Sequence, residues 1–242
     1  MFTKNHIKLD KVNSTNSFAL SLKGTDCFKE GLLVTSNYQS EGYGQRGKSW
    51  ESSRDKNLLF SFVIEPNISL NNKFILNTSI SLALYDFISS YFDKVCIKWP
   101  NDILIDKQKI AGFVIHNIVK SNNISHSVIG VGVNVNQNIF KLYSPQATSF
   151  SLLLNKSFDL YNLNNQLLEF ITNRIVKAKS GIDHHNEYLS VLFLNKKIAN
   201  LEISKVKIEG LIKNVDRDGN LHVQFRNGNI RKFTSQELKF LF

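Results

Sequence analysis

The chain is poor in several residue types that would mark a specialised class of protein. It has 2 cysteines and 3 prolines among 242 residues, too few cysteines for a disulfide framework or a self-sufficient metal site. Its longest apolar stretches fall far short of the roughly 20 residues that a membrane-spanning helix needs. Residues 1–6 carry no apolar signal core. We therefore predict a globular protein of the reducing cytoplasm, with no metal held by protein ligands alone.

What the chain has in excess is positive charge and phenylalanine. The 30 lysines and arginines outnumber the 20 acidic residues, for a net charge of +10, and 18 phenylalanines contribute to an apolar share of 42%, which argues against disorder. A basic balance suits nucleic acid, a membrane surface or an acidic protein partner. The lysines are dispersed, however, without a run of five like charges or an opening helix-turn-helix pattern. We therefore expect no DNA and no membrane partner.

The hydrophobic pattern alternates between strand and helix along most of the chain. One run, residues 127–136, alternates small and β-branched residues around Gly130 and Gly132, which predicts a central strand that another group approaches closely. Beyond residue 195 the pattern is all-β, with turns at 216–220 and 227–229, so we predict domains 1–195 and 196–242. Helices are predicted near 17–22, 70–92 and 160–178, and strands near 31–35, 57–64, 95–97, 103–105, 110–115 and 127–136.

Residues 98–102 (Lys-Trp-Pro-Asn-Asp) form the most informative motif. A proline fixes its own φ and favours extended geometry in the preceding residue, so a bend is expected that aims Lys98 and Asp102 at one point. If the flanking strands form a hairpin, Lys109 lies at a position next to Lys98. Two ammonium groups beside a carboxylate suit a phosphorylated or carboxylated ligand. A tight turn with solvated charges is the alternative.

Residues 42–50 (Gly-Tyr-Gly-Gln-Arg-Gly-Lys-Ser-Trp) form a second basic motif. Alternating glycines let backbone amides approach an anion, and can form a nest for phosphate or carboxylate. Arg46 and Lys48 supply charge, and Trp50 offers a flat face for a nucleobase. The spacing matches neither a Walker nor a Rossmann fingerprint. A flexible basic loop without chemistry is the alternative reading.

Taken in order, these motifs resemble the biotin protein ligases (biotin–[acetyl-CoA-carboxylase] ligases), in the short form without a DNA-binding domain. The resemblance implies an α+β fold with a mixed sheet flanked by helices, of the class II synthetase type, and a small C-terminal SH3-like β-barrel. The segments that carry it cover nearly the whole chain: residues 14–16, 38–50, 57–59, 98–102, 109–112, 130–136, 147–149 and 188–193.

The resemblance also implies a two-step reaction. Biotin and Mg-ATP form biotinyl-5′-AMP with release of pyrophosphate, and the activated acyl group then passes to one lysine of a biotin carboxyl carrier domain. ATP, Mg²⁺ and biotin are therefore the expected small molecules, and the carrier protein of a biotin-dependent carboxylase is the expected partner. An edge strand that pairs between copies would give a homodimer.

By the same resemblance, Lys109 contacts the biotin carboxyl group and the phosphate, Lys98 and Arg46 add charge, and Asp102 orients or deprotonates the acceptor lysine. Without it, Ser14 and Thr15 read as helix caps, and Asn101 as a stabiliser of its turn. The residues expected around biotin are Ser14, Thr15, Asn16, Gln39, Gly42, Tyr43, Gly44, Gln45, Lys109 and Gly112. Those expected around ATP and the adenylate are Arg46, Lys48, Trp50, Lys98 and Asn134.

Two departures from the family pattern bear on activity. Tyr43 stands where an arginine is usual, and Gln45 stands where some relatives carry an arginine. Neither side chain neutralises a phosphate. The loop charge then depends on Arg46 and Lys48, which weakens or redistributes the grip on the adenylate. His116 stands near a position that is often acidic, which bears on metal binding.

Three other functions fit parts of the pattern. A lipoate or octanoate protein ligase shares the fold and the transfer to lysine. A non-catalytic biotin-binding homologue is suggested by Tyr43 and His116. A nucleic-acid-binding repressor is suggested by charge alone, and an absent mobility shift at physiological salt would eliminate it.

Overall fold

The computed structural model of the chain describes Phe2 and residues 5–242, without the side chain of Arg46. These residues form a sheet of eight strands, a sheet of five strands and several α-helices. The first sheet contains β1 (Asn5–Val12), β2 (Leu32–Gln39), β3 (Asn57–Ile64), β4 (Ile68–Ser69), β5 (Val95–Lys98), β6 (Asp102–Ile105), β7 (Gln108–Lys120) and β8 (Asn123–Asn134). The second contains β9 (Ile198–Ile203), β10 (Val206–Val215), β11 (Leu221–Gln224), β12 (Ile230–Phe233) and β13 (Leu238–Phe240). The helices are α1 (Thr15–Ser21), α2 (Phe74–Ser89), α3 (Phe150–Leu154), α4 (Leu160–Lys179) and α5 (His185–Ser190).

The first sheet is mixed and has helices on both faces. Its strand order is β1-β2-β3-β8-β7-β6-β5, with β4 beside β8; β1 and β2 are parallel, and the other pairs are antiparallel. Because strand side chains alternate between faces, Val63 and Val128 pack with Ala19 of α1, while Phe62 and Ile129 join the larger core that includes α2 and α4. The predicted α+β fold, a mixed sheet flanked by helices, is therefore confirmed.

Several observed elements differ from the predicted ones. The helix expected over residues 70–92 spans only Phe74–Ser89, because a short 3₁₀ turn, Leu70–Asn72, precedes it. Strand β1 was not predicted, because it contains several charged residues and few apolar ones, so its strand pattern is weak. Lys98 and Lys109 do not lie on adjacent strands: Lys98 pairs with Asp102, and Lys109 pairs with Leu104. Strand β6 lies between them, and this changes how the two lysines meet.

The second sheet is antiparallel, with the order β12-β11-β10-β9-β13. The predicted turn at 216–220 joins β10 to β11, and that at 227–229 joins β11 to β12. In the part of the chain that the structure describes, the end strands β12 and β13 do not pair, so the sheet is open rather than a closed SH3-like barrel. A search of the described helices finds none long and apolar enough to cross a membrane.

Candidate active site

Asp102 holds two lysines from opposite sides. It begins β6, and its Oδ2 lies 2.7 Å from Nζ of Lys98 on β5. Its Oδ1 lies 2.6 Å from Nζ of Lys109 on β7. The intervening strand thus brings together the lysines that the sequence predicted to meet directly. The three side chains carry a net charge of about +1, and both lysines line the same large cavity.

The carboxyl group of Asp102 is buried but remains ionised. Burial by itself would raise its pKa, but the ammonium groups of Lys109 and Lys98 outweigh burial and hold the pKa well below its usual range. A carboxylate with so low a pKa is a poor proton acceptor near neutral pH. The geometry therefore favours an orienting role for Asp102 over a role as a base.

A small cavity of about 40 Å³, here called the inner cavity, lies between α1, β2, β7 and β8. Ser14 caps α1 by accepting a bond from the Ser17 backbone N–H, as its position before a helix predicts. Both the backbone N–H and the hydroxyl of Thr15 donate to Gln39 Oε1, at 2.8 and 3.0 Å. The lining is Ser14, Thr15, Asn16, Gln39, Tyr43, Gly44, Trp50, Asn101, Lys109, Gly112, Phe113, Val114, Gly130, Val131 and Gly132.

Tyr43 lines the inner cavity. Its hydroxyl donates to Asn16 Oδ1 at 3.1 Å and lies 3.4 Å from Ser17 Oγ. The side chain that replaces the usual arginine therefore fixes the orientation of a neighbouring amide. His116 is exposed on β7 and lines neither this cavity nor the one beside it.

A larger cavity of about 550 Å³, the outer cavity, opens beside the inner one. The predicted nucleotide residues Lys48, Trp50, Lys98 and Asn134 all line it. Asn134 donates from Nδ2 to the Thr148 carbonyl, while its buried Oδ1 has no hydrogen-bond partner among the described atoms. That oxygen is an acceptor available to a ligand, since buried polar atoms are normally paired.

The two cavities share a wall, which Gly44, Trp50, Asn101 and Lys109 line on both sides. The Trp50 indole packs closely against β8, where a Cβ on Gly132 would be only 2.5 Å from two of its ring carbons. Lys109 Nζ is 5.2 Å from the centre of the same ring. Gly132 was predicted to allow another group to approach the strand closely, and that group is the Trp50 indole.

Three predicted residues lie outside the inner cavity or cannot be placed. Gln45, expected near biotin, lines the outer cavity instead. Gly42 lines neither cavity but contacts Gln39 closely, because a Cβ there would be 2.8 Å from Nε2. The side chain of Arg46 lies outside the described part of the structure.

Sequence reasoning missed several residues of the site. Asn101, kept out of the functional set, donates to the Phe113 carbonyl and lines both cavities. The segment after β8 runs beside Lys109, whose N–H donates to the Gln146 carbonyl at 2.8 Å. The Ala147-Thr148-Ser149 match was the only signal for it. The other missed residues of the outer cavity are Glu51, Phe140, Leu142, Tyr143, Ser144, Pro145, Leu238, Lys239 and Phe240.

No group of three or more acidic, histidine or cysteine side chains able to hold a metal ion occurs among the described residues. The carboxylates that line the outer cavity are Glu51 and Asp102, and the latter is committed to two lysines. A magnesium ion that keeps most of its ligands from phosphate and water suits such a site. The described residues therefore suit a cation that arrives bound to a phosphorylated ligand.

Gly132→Ala is expected to push the Trp50 indole away from β8. The added methyl group overlaps the ring, so the indole must move and its fluorescence emission should shift to longer wavelength. Trp99, the other tryptophan, is only 2% exposed and keeps its environment. Gly44→Ala is the matched control, because its Cβ would meet nothing closer than 3.6 Å. An unchanged emission spectrum in Gly132→Ala would contradict this packing.

Comparison with known proteins agrees with this geometry. The model of the Biotin/lipoate A/B protein ligase family matches residues 9–134, more than half of the chain. The chain belongs to this family.

The chain is also similar to individual proteins of known function. The Bifunctional ligase/repressor BirA of Bacillus spizizenii is 30% identical over 129 residues, which are 53% of this chain and 39% of that protein. The Biotin--[acetyl-CoA-carboxylase] ligase of Paracoccus denitrificans is 28% identical over 130 residues, 52% of this chain and 53% of that protein. The matches thus span about half or less of the length of these relatives. The biotin protein ligase of Aquifex aeolicus, solved with biotin and ATP, has a similar fold, with a TM-score of 0.76 at 24% identity over 98% of this chain and 99% of that one.

Proposed function

We propose that the chain is an ATP-dependent biotin protein ligase that forms biotinyl-5′-AMP and transfers biotin to one lysine of a biotin carboxyl carrier protein. The observation that carries this proposal is the position of Lys109, in the wall between a small polar cavity and one large enough for a nucleotide. Adenylation requires a carboxylate to meet an α-phosphate, and a cation is needed where these like charges meet.

In the first step, the inner cavity takes the ureido head of biotin through Ser14, Thr15, Asn16 and Gln39, which offer donors and acceptors in its wall. The biotin carboxylate then points toward Lys109. Mg-ATP occupies the outer cavity, with adenine against Trp50 and the α-phosphate near Lys98 and Lys109.

In the second step, the ε-amine of the carrier lysine enters from the open side of the outer cavity and attacks the acyl group. Asp102 keeps Lys98 and Lys109 in place while AMP departs, as its two short contacts and low pKa support. The net charge of +10 favours an acidic carrier domain. A homodimer through β1, at the edge of the sheet order, also belongs to this proposal.

The inner cavity must widen to admit biotin. Its volume of about 40 Å³ is close to that of a water molecule or two, whereas small-molecule sites usually measure about 300–1,000 Å³. Trp50 is the largest of the four residues that line both cavities, so its movement would do most to join them. Movement of residues 42–50 with Trp50 would then accompany ligand binding.

The division into a catalytic domain, residues 1–195, and a C-terminal SH3-like domain, residues 196–242, is supported by the two separate sheets. Closure of the second sheet into a barrel would require β12 to meet β13.

The test is pyrophosphate release with ATP, Mg²⁺ and biotin, run beside the same assay with lipoate and with octanoate. Biotin-dependent release is expected. Release with lipoate or octanoate instead would identify the other branch of the family. Biotin binding by calorimetry without any release would identify a non-catalytic homologue, as the tyrosine at position 43 suggested.

Gly130→Ala is expected to raise the biotin Kd about tenfold, or about 1.4 kcal/mol. Its Cβ would lie 3.1 Å from Asn16 Nδ2 and 3.2 Å from Ser61 Oγ, so it crowds Asn16 in the wall of the inner cavity. Isothermal titration with biotin measures the change. Lys120→Ala, at an exposed position of β7 that lines neither cavity, serves for comparison and should leave the Kd within twofold of wild type. Equal biotin affinity in wild type and Gly130→Ala would mean that the ureido group of biotin does not bind in the inner cavity.

A further inference from the structure

The turn between β10 and β11 is tightly built. Asp216 Oδ1 accepts from the backbone N–H groups of Asp218 and Asn220, at 3.1 and 2.9 Å. Its Oδ2 lies 3.0 Å from His222 Nε2 and 3.2 Å from Lys232 Nζ. Gly219 has a φ of +89°, which glycine adopts without strain. The carbonyl of Gly219 is thus held in a fixed direction.

That carbonyl accepts a hydrogen bond from the indole N–H of Trp99, at 2.9 Å across 120 residues of sequence. Trp99 is only 2% exposed, so water does not offer its N–H an alternative partner. Gly219 also packs on the ring of Phe74 so closely that a Cβ would lie 2.5 Å from Cδ2. The turn is therefore seated on the first sheet and its helix α2 at a defined point.

Trp99 occupies the bend between Lys98 and Asp102, the two residues whose side chains meet at 2.7 Å. On one side, Asn101 ties the bend to β7 through the Phe113 carbonyl. On the other side, the hydrogen bond from the Trp99 indole N–H to the Gly219 carbonyl connects the bend to the 216–220 turn. Strand β13 of the same second sheet lines the outer cavity through Leu238, Lys239 and Phe240.

We infer that the 216–220 turn is a positioning element for the reaction: through Trp99 it fixes the bend that sets Lys98 and Asp102 against Lys109. This inference rests on the proposed function. Gly219 lines neither cavity, and Trp99 borders the outer one; both act on the reaction through the two charged residues. A displacement of about 1 Å in positioned groups can lower the rate about a hundredfold, so the loss of a single remote hydrogen bond can reduce kcat.

Trp99→Phe tests the bond most directly, because it keeps an aromatic ring and removes the N–H donor. We expect the kcat of biotin-dependent pyrophosphate release to fall about tenfold or more, while the KM for biotin changes less than twofold, since the inner cavity is built by other residues. Gly219→Ala, which must lift the turn from Phe74, should give the same split. Tyr188→Phe is the control: Tyr188 packs on Phe74 with ring centroids 5.7 Å apart, and its buried hydroxyl has no hydrogen-bond partner among the described atoms.

A double variant that combines Trp99→Phe with Gly219→Ala distinguishes a positioning role from general destabilisation. If both substitutions act through one contact, the double variant loses no more kcat than the worse single variant. Multiplied losses, or a kcat equal to that of Tyr188→Phe, would overturn the inference.

A wild-type protein that releases no pyrophosphate would overturn the proposed function instead, and hydrogen exchange then decides the inference without any activity. Faster exchange of the amides in residues 97–103 in Gly219→Ala than in Tyr188→Phe supports the coupling, and equal exchange refutes it.

Discussion

Lys109→Ala is expected to lower biotin-dependent pyrophosphate release by about a hundred- to a thousandfold. Removal of one group that stabilises developing charge in an enclosed site has an effect of about this size. Lys109 lies in the shared wall of both cavities, so its charge is the one that both reacting anions face. Single-turnover formation of biotinyl-adenylate, followed with labelled ATP, measures the effect on this step alone.

The control for this substitution is Lys120→Ala, at the far end of the same strand β7. Lys120 is exposed and lines neither cavity, so its loss removes the same charge from the protein but not from the site. Its rate should remain within twofold of wild type. If Lys109→Ala kept more than a fifth of the wild-type rate while folded by circular dichroism, the central role given to this lysine would be wrong.

Local sequence chemistry was sufficient for the parts of the site that lie close together along the chain. The proline in residues 98–102 predicted the bend, and Lys98 and Asp102 do meet across it. The small residues of β8 predicted a close approach, and Trp50 makes it at Gly132. In both cases the constraint acts within one or two strands, where residue type and spacing determine what fits.

Residues brought in by topology could not be predicted in this way. Lys109 meets Lys98 only through the strand that carries Asp102, and a hairpin drawn from the pattern placed the two lysines side by side. The segment near Ala147 reaches the site because it bridges to Lys109, far away in sequence. Likewise, Gly219 meets Trp99 across two sheets. Such contacts depend on register and packing between distant elements, which a single sequence does not display.

Asp102→Asn is expected to lower the free energy of unfolding by about 3 kcal/mol, the low end of the cost of breaking a buried ion pair from one side. The amide oxygen can still accept from one ammonium group, but the amide NH₂ then faces the other, so one lysine loses its partner. Lys109 keeps 28% side-chain exposure and recovers part of its hydration, which is why the low end applies. Urea unfolding at constant pH measures the difference, and adenylate formation should fall as well because the lysines repel each other.

Asp106→Asn is the matched control for charge. Asp106 is 63% exposed and pairs with Lys94 at 3.5 Å, so this substitution should change the free energy of unfolding by less than about 0.5 kcal/mol.

The pH dependence of the stability difference between wild type and Asp102→Asn is a second check. Because the pKa of Asp102 is held well below that of the unfolded chain, its stabilisation is present in full above the unfolded value of about 4 and is lost as the pH falls through the folded value. The difference between wild type and Asp102→Asn should therefore be the same at pH 6 and pH 8 and should narrow only below about pH 4. A difference that changed between pH 6 and pH 8 would mean that Asp102 titrates there, and so would restore it as a candidate base for the acceptor lysine.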